Sequence, residues 1–181
     1  QEIKEAVTEL LEQRDGLMAG ICNGFQALIK LGLVPFGKIM DTDASFPTLT
    51  YNKIARHQSK LVRIRIASSN SPWLAATEVG DIYTVPVSHG EGRFMASPEL
   101  LKEMAADGRI ITQYVDMAGN ATSDIQFNPN GSDWAVEGIV SPDGRVLGKM
   151  GHSERIGAGL YKNVPGRFDM KMFESAVKYF K

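Results

Sequence analysis

Gly20-Ile21-Cys22-Asn23-Gly24-Phe25-Gln26 is the stretch from which the fold is read. It contains the chain's only cysteine. Residues 17–21 before it read as a short buried strand. Residues 25–33 after it read as a helix, with Phe25, Leu28 and Ile29 on one face. Glycines stand two places before and two places after Cys22, the pattern of a sharp strand-to-helix turn that holds one side chain in a strained backbone conformation. Both glycines are expected to be there because a Cβ would collide with the turn. A cysteine at a helix N-terminus faces free N–H groups, and the expectation is a thiol with a lowered pKa. A lone free cysteine is more often a small buried hydrophobe than a nucleophile. The strand-turn-helix context favours the nucleophile.

Working outward, Ile3, Val7, Leu10 and Leu11 recur at helical spacing, so residues 2–14 read as an amphipathic helix stopped by Asp15-Gly16. Helix, buried strand, tight turn and helix is the rhythm of an α/β sheet with parallel central strands. Gly32 and Pro35 close the second helix. Residues 37–60 read as polar and irregular. Asp41 and Asp43 lack the spaced partners of a metal site. His57, in a basic stretch, is expected at the surface or against a partner domain.

Residues 61–67 alternate, with Val62, Ile64 and Ile66 on one side and Arg63 and Arg65 on the other, which predicts a half-buried strand. A short helical piece is expected around Trp73, and residues 82–87 form another strand. Ser88-His89-Gly90-Glu91-Gly92-Arg93-Phe94 then places a histidine in a loop at the sheet edge, where α/β proteins put ligands. Ser97-Pro98 starts a helix with Ser as cap and Pro at the first helical position. Residues 109–115 are a strand, and residues 133–149 a hairpin turning at Pro142-Asp143-Gly144. The last helix covers 168–180, with Met172, Phe173, Ala176, Val177 and Phe180 as its expected buried stripe.

The whole chain, 181 residues with 43% hydrophobic and 23% charged content, suits one domain with a sizeable core. A net charge of −1 gives no basic footprint for nucleic acid and no attraction to a membrane surface. No apolar run approaches the roughly 20 residues of a membrane span. One cysteine cannot form an internal disulfide, which fits a reducing, cytoplasmic setting.

His152 and Glu154 are two apart, so in an extended segment their side chains point the same way. The carboxylate can then fix the imidazole tautomer and leave the other ring nitrogen for a nucleophile. With Cys22 they make a Cys–His–Glu set. His89 and Glu91 form a competing pair at the same spacing, and spacing alone does not choose between them.

The turn at Gly20–Gln26, the segment Ser88–Phe94 and Gly151-His152-Ser153-Glu154-Arg155 together resemble the triad (class I) glutamine amidotransferases. The likeness is greatest to the C-terminal glutaminase domain of phosphoribosylformylglycinamidine synthases, and the run from Glu137 to Gly148 shares it. The resemblance implies a flavodoxin-like α/β fold with a mostly parallel central sheet and helices on both faces. It implies Cys22 as nucleophile, His152 as general base and then acid, and Glu154 as the residue orienting His152. It implies the backbone N–H of Asn23 as an oxyanion donor, with Gln26, Ser88, His89 and Gly90 shaping a pocket for L-glutamine.

The implied reaction is hydrolysis of glutamine to glutamate and ammonia through a cysteine thioester. Ammonia would pass to a synthetase domain of the same parent enzyme. There ATP and Mg would drive amidation of formylglycinamide ribonucleotide in purine synthesis. No cofactor or metal is expected in residues 1–181. The chain departs from the family pattern at Ser153, where proline is usual; the expected effect is conformational. The strand and glycine-rich loop that open the family's domain have no counterpart within 1–181. The chain is therefore expected to be an N-terminally truncated piece of a longer one. Two other readings stand beside this: a non-catalytic docking fragment of the same enzyme, or another cysteine hydrolase on the same turn.

Overall fold

A computed structural model describes residues 2–181. Chain order begins with helix α1 (Glu2–Thr8), which continues as a π-helical turn (Glu9–Gln13), so the single expected helix is there but widens in its second half. Strand β1 (Met18–Ile21) and helix α2 (Asn23–Lys30) follow, then a short kinked turn, α3 (Leu33–Phe36). Next come β2 (Thr48–Tyr51), β3 (Gln58–Ile66), a 3-10 turn (Pro72–Leu74), β4 (Ile82–His89) and β5 (Glu91–Met95). Helix α4 (Pro98–Ala106), β6 (Ile110–Tyr114), a 3-10 turn (Asp133–Ala135), β7 (Val136–Val140), β8 (Val146–Lys149) and α5 (Met172–Tyr179) complete the fold.

The central sheet runs β1-β8-β7-β6-β3-β4, with β2 and β5 forming a separate ribbon. The α/β class is as the sequence leads one to expect, but only β1 and β8 pair in parallel. All other neighbours in the sheet are antiparallel. The cause is connectivity. β7 and β8 are joined by the tight Pro142-Asp143-Gly144 turn, which antiparallel strands allow, whereas parallel strands need a long crossover.

Adjacent residues of the inner strands face opposite ways, and the core divides accordingly. Ile110, Ile139 and Val146 join α2, α4 and the β2–β5 ribbon on one face. Ile111, Val140 and Leu147 join Trp73, Leu74 and Met172 on the other. Helices thus cover both faces. Arg63 and Arg65 point away from the core as expected, and both tie down the loop after β6. Arg63 donates to the carbonyls of Asp116 and Met117, and Arg65 to that of Gly119.

Residues 37–60 are more ordered than their composition suggests, holding β2 and the start of β3. Asp43 there accepts from the backbone and hydroxyl of Ser45, which makes a local turn. The stripe expected on α5 is narrower in fact. Met172 and Ser175 are buried, while Phe173, Val177 and Phe180 are 49%, 54% and 62% exposed. The helix packs chiefly on the Pro72–Leu74 turn, with Phe173 edge-on to Trp73 at 6.4 Å between ring centroids, so Val177 and Phe180 stay largely open to solvent.

Candidate active site

β1 ends at Ile21 and α2 begins at Asn23, so Cys22 is the whole of the turn. Its backbone sits at φ 56° and ψ −108°, a region an L-residue enters only at a cost. Bonds on both sides hold it. The N–H of Cys22 donates to the Lys149 carbonyl at 2.9 Å, and its carbonyl accepts from Gln26 N–H at 3.2 Å. Gly20 is needed by close approach, since a Cβ there would lie 2.6 Å from the Gly24 carbonyl. Gly24 is not needed in this way: a Cβ would meet nothing within 4 Å, so the steric expectation holds for only one of the two glycines.

His152 follows β8. The sheet curls far enough that the segment after β8 reaches β4, where His152 N–H donates to the Pro86 carbonyl at 2.8 Å. His152 Nδ1 lies 2.6 Å from Glu154 Oε1. His152 Nε2 is buried and makes no hydrogen bond among the described residues. The competing pair does not form: both ring nitrogens of His89 lack partners, and the Glu91 carboxylate instead lies 3.5 Å from the Gln26 amide nitrogen. His89 is also not a loop residue. It ends β4 and is 4% exposed, because β4 extends two residues beyond the expected strand and turns directly into β5.

Cys22, Asn23, Gln26, Ser88, His89, Gly90 and His152 line one cleft of about 720 Å³. Glu154 bonds His152 but does not line the cleft. The Cys22 thiol lies 3.9 Å from the Ser88 carbonyl. His57, expected at the surface or against a partner domain, Glu91, expected only as a partner for His89, and Arg155, given no role, line the same cleft. His57 Nε2 is 3.1 Å from Ser88 Oγ, which draws it from the basic stretch before β3 to the rim. Only the tertiary pairing of β3 with β4, Ser59 opposite Ser88, brings these together.

The electrostatics correct one expectation. Burial pushes the Cys22 thiol up, and this outweighs the Asn23 backbone N–H and the Arg155 guanidinium, which favour the thiolate; the Glu154 carboxylate adds to the rise. Burial also depresses His89 to about 4, so it is neutral at pH 7.

Beneath the cleft lies a charged pair that the sequence reading passed over. Lys149 and Glu137 are both fully buried, 3.0 Å apart, in the β7–β8 hairpin. The one sequence signal was a lysine and a glutamate inside strands otherwise apolar or glycine. Ser153 belongs to this cluster: its hydroxyl accepts from Lys149 Nζ at 3.0 Å, so it does more than set the local backbone.

The CobB/CobQ-like glutamine amidotransferase domain family matches residues 1–180. A phosphoribosylformylglycinamidine synthase subunit PurQ from Acaryochloris marina is 37% identical over 139 residues, covering 77% of this chain and 54% of the relative. The subunit of that name from Salinibacter ruber is 35% identical, covering 91% and 63%, and that from Symbiobacterium thermophilum 33% identical, covering 98% and 68%. This chain thus spans less than two thirds of the length of the first two. A chain from the structure of PurLQS from Thermotoga maritima superposes with a TM-score of 0.71 at 26% identity, covering all of this chain and 69% of that one. The family match over residues 1–180, the relatives along most of the length and the shared fold agree: the chain belongs to the CobB/CobQ-like glutamine amidotransferase domain family.

Proposed function

We propose that this chain is a glutaminase that hydrolyses L-glutamine to glutamate and ammonia, with the ammonia used to form formylglycinamidine ribonucleotide in purine synthesis. The observation that carries the chemistry is Cys22, held at positive φ before α2, sharing one cleft with a histidine whose far nitrogen is bonded to a carboxylate. The identity of the relatives supports the use of the ammonia.

The steps follow from the residues. His152 Nε2 takes the Cys22 proton as sulfur attacks the side-chain carbonyl carbon of glutamine. The need for this base is greater because burial favours the neutral thiol. The N–H of Asn23, already beside the sulfur, receives the developing oxyanion. His152 returns the proton to the amide nitrogen, the C–N bond breaks and ammonia leaves. A water, deprotonated by His152, then attacks the thioester carbon; glutamate departs and the Cys22 thiol is restored. Glutamine and water are consumed, glutamate and ammonia formed. Glu154 holds the Nδ1–H tautomer and stabilises the imidazolium between these transfers.

Arg155 and Glu91, one guanidinium and one carboxylate on the cleft, are suited to the zwitterionic end of an amino acid. Gln26, Ser88, His89 and Gly90 complete the pocket. The partner is a synthetase, in which ATP and Mg would act; no residue of this chain is assigned to either.

The test is intact mass after exposure to a glutamine-mimicking diazo-ketone. One adduct is expected, absent in Cys22→Ser and suppressed by excess glutamine. Labelling unaffected by glutamine would point instead to a cysteine hydrolase of another substrate. An absence of labelling, with or without a synthetase partner, would defeat the reading.

A further inference from the structure

Lys149 bridges the two halves of the site. Its backbone carbonyl accepts from Cys22 N–H, which fixes the strained turn under the thiol. Its ammonium group reaches the other half. Nζ donates to the Gly151 carbonyl at 2.9 Å and to Ser153 Oγ at 3.0 Å, the residues immediately before and after His152. The third donor goes to Glu137 Oε1 at 3.0 Å, so all three ammonium hydrogens have acceptors. Glu137 closes the cage. The same Oε1 accepts from Gly151 N–H at 2.5 Å, and Oε2 accepts from Thr112 Oγ1 at 2.5 Å. The peptide groups on both sides of Gly151 are therefore clamped by opposite charges, with Glu137 on its N–H and Lys149 on its carbonyl.

A buried ion pair is poor evidence of stabilisation, because desolvating both charges offsets most of their attraction and apolar replacements are often neutral. What this pair does supply is direction. Every hydrogen bond its two side chains make outside the pair, Thr112 apart, ends on a residue flanking His152. We propose that the Lys149–Glu137 pair is a positioning device that sets the histidine-bearing turn relative to the Cys22 turn. It acts through geometry and touches no substrate. The proposal rests on the reading of His152 as the base that serves Cys22.

The test compares the intact protein with Glu137→Gln/Lys149→Met, which removes both charges at nearly constant volume, and with Ser153→Ala, which removes one acceptor. Two readouts are used: steady-state glutamine hydrolysis, and the downfield ring N–H proton resonance of His152 in its bond to Glu154, assigned with His152→Asn. In the double variant kcat is expected to fall about 10- to 100-fold, as for misplacement of a reacting group, with KM changed less than about twofold. The ring resonance is expected to broaden or vanish. Ser153→Ala should lower kcat by a smaller factor. A folded double variant with wild-type kcat and an unchanged resonance overturns the proposal. If the double variant does not fold, Ser153→Ala decides: wild-type kcat and resonance overturn it, and a loss of both supports it. If the wild-type protein hydrolyses no glutamine either alone or with a synthetase partner, the glutaminase reading fails, and the resonance alone still decides whether the pair positions His152.

Discussion

His152 Nδ1 and Glu154 Oε1 lie 2.6 Å apart, while His152 Nε2 is left buried without a partner in a cleft shared with Cys22. The first prediction follows from that pair. His152→Asn is expected to lower kcat for glutamine hydrolysis by about 10²- to 10⁴-fold, the range lost with a general base. Glu154→Gln keeps a hydrogen-bond acceptor but removes the charge that stabilises the imidazolium, so its loss should be smaller and should fall on kcat more than on KM. Steady-state kinetics of both variants is the check; wild-type kcat in His152→Asn would remove it from the reaction.

The Cys22 thiol is held above its ordinary value by burial, with Arg155 opposing the rise and Glu154 adding to it. Alkylation by iodoacetamide follows the thiolate fraction. The rate is expected to keep climbing beyond the pH at which an ordinary cysteine levels off. Arg155→Ala should move the midpoint further up, and Glu154→Gln should move it down. Stopped-time mass spectrometry across pH measures all three; a wild-type profile that levels below the ordinary thiol value would contradict the burial argument.

His89 titrates near 4 in the folded chain against an ordinary value of 6.5. Between these pH values the unfolded chain binds a proton that the folded chain does not. Its contribution therefore destabilises the fold as pH falls through that window and is absent above it. The displacement corresponds to roughly 3 kcal/mol when complete. In His89→Gln this component should disappear, so the difference in urea stability between variant and wild type should change between pH 7 and 4.5. Parallel curves would mean that His89 is hydrated in solution.

The two glycines around Cys22 should respond oppositely to alanine. Gly20→Ala drives a methyl into the backbone of α2 and should cost about 1–3 kcal/mol, typical of overpacking. Gly24 lies inside α2 with open space at its Cβ, so Gly24→Ala should stabilise the fold by up to about 1 kcal/mol through helix propensity. Thermal or urea unfolding separates them; equal losses would mean that Gly24 is held by something other than space.

Much of this protein is local and could be read from its residues. The strand, turn and helix around Cys22 follow from apolar runs and glycine. Val62, Ile64 and Ile66 mark a half-buried strand by alternation, and Ser97-Pro98 opens α4 with its cap bond intact. Spacing also gave both candidate histidine pairs, since residues two apart in an extended segment share a side.

Tertiary structure decided the rest, because it depends on residues far apart in the chain. His152 bonds its carboxylate and His89 does not, since β4 runs on through His89 and buries it. The sheet is mostly antiparallel because of which strands meet, and α5 leaves Val177 and Phe180 largely exposed because it packs chiefly on the Pro72–Leu74 turn. The direction of the Cys22 shift was set by how much protein lies around the sulfur, which a helix N-terminus alone does not tell. Lys149 and Glu137 look in sequence like ordinary charges on a hairpin. Their meaning arises only where the hairpin is buried and a charge must find every partner it needs.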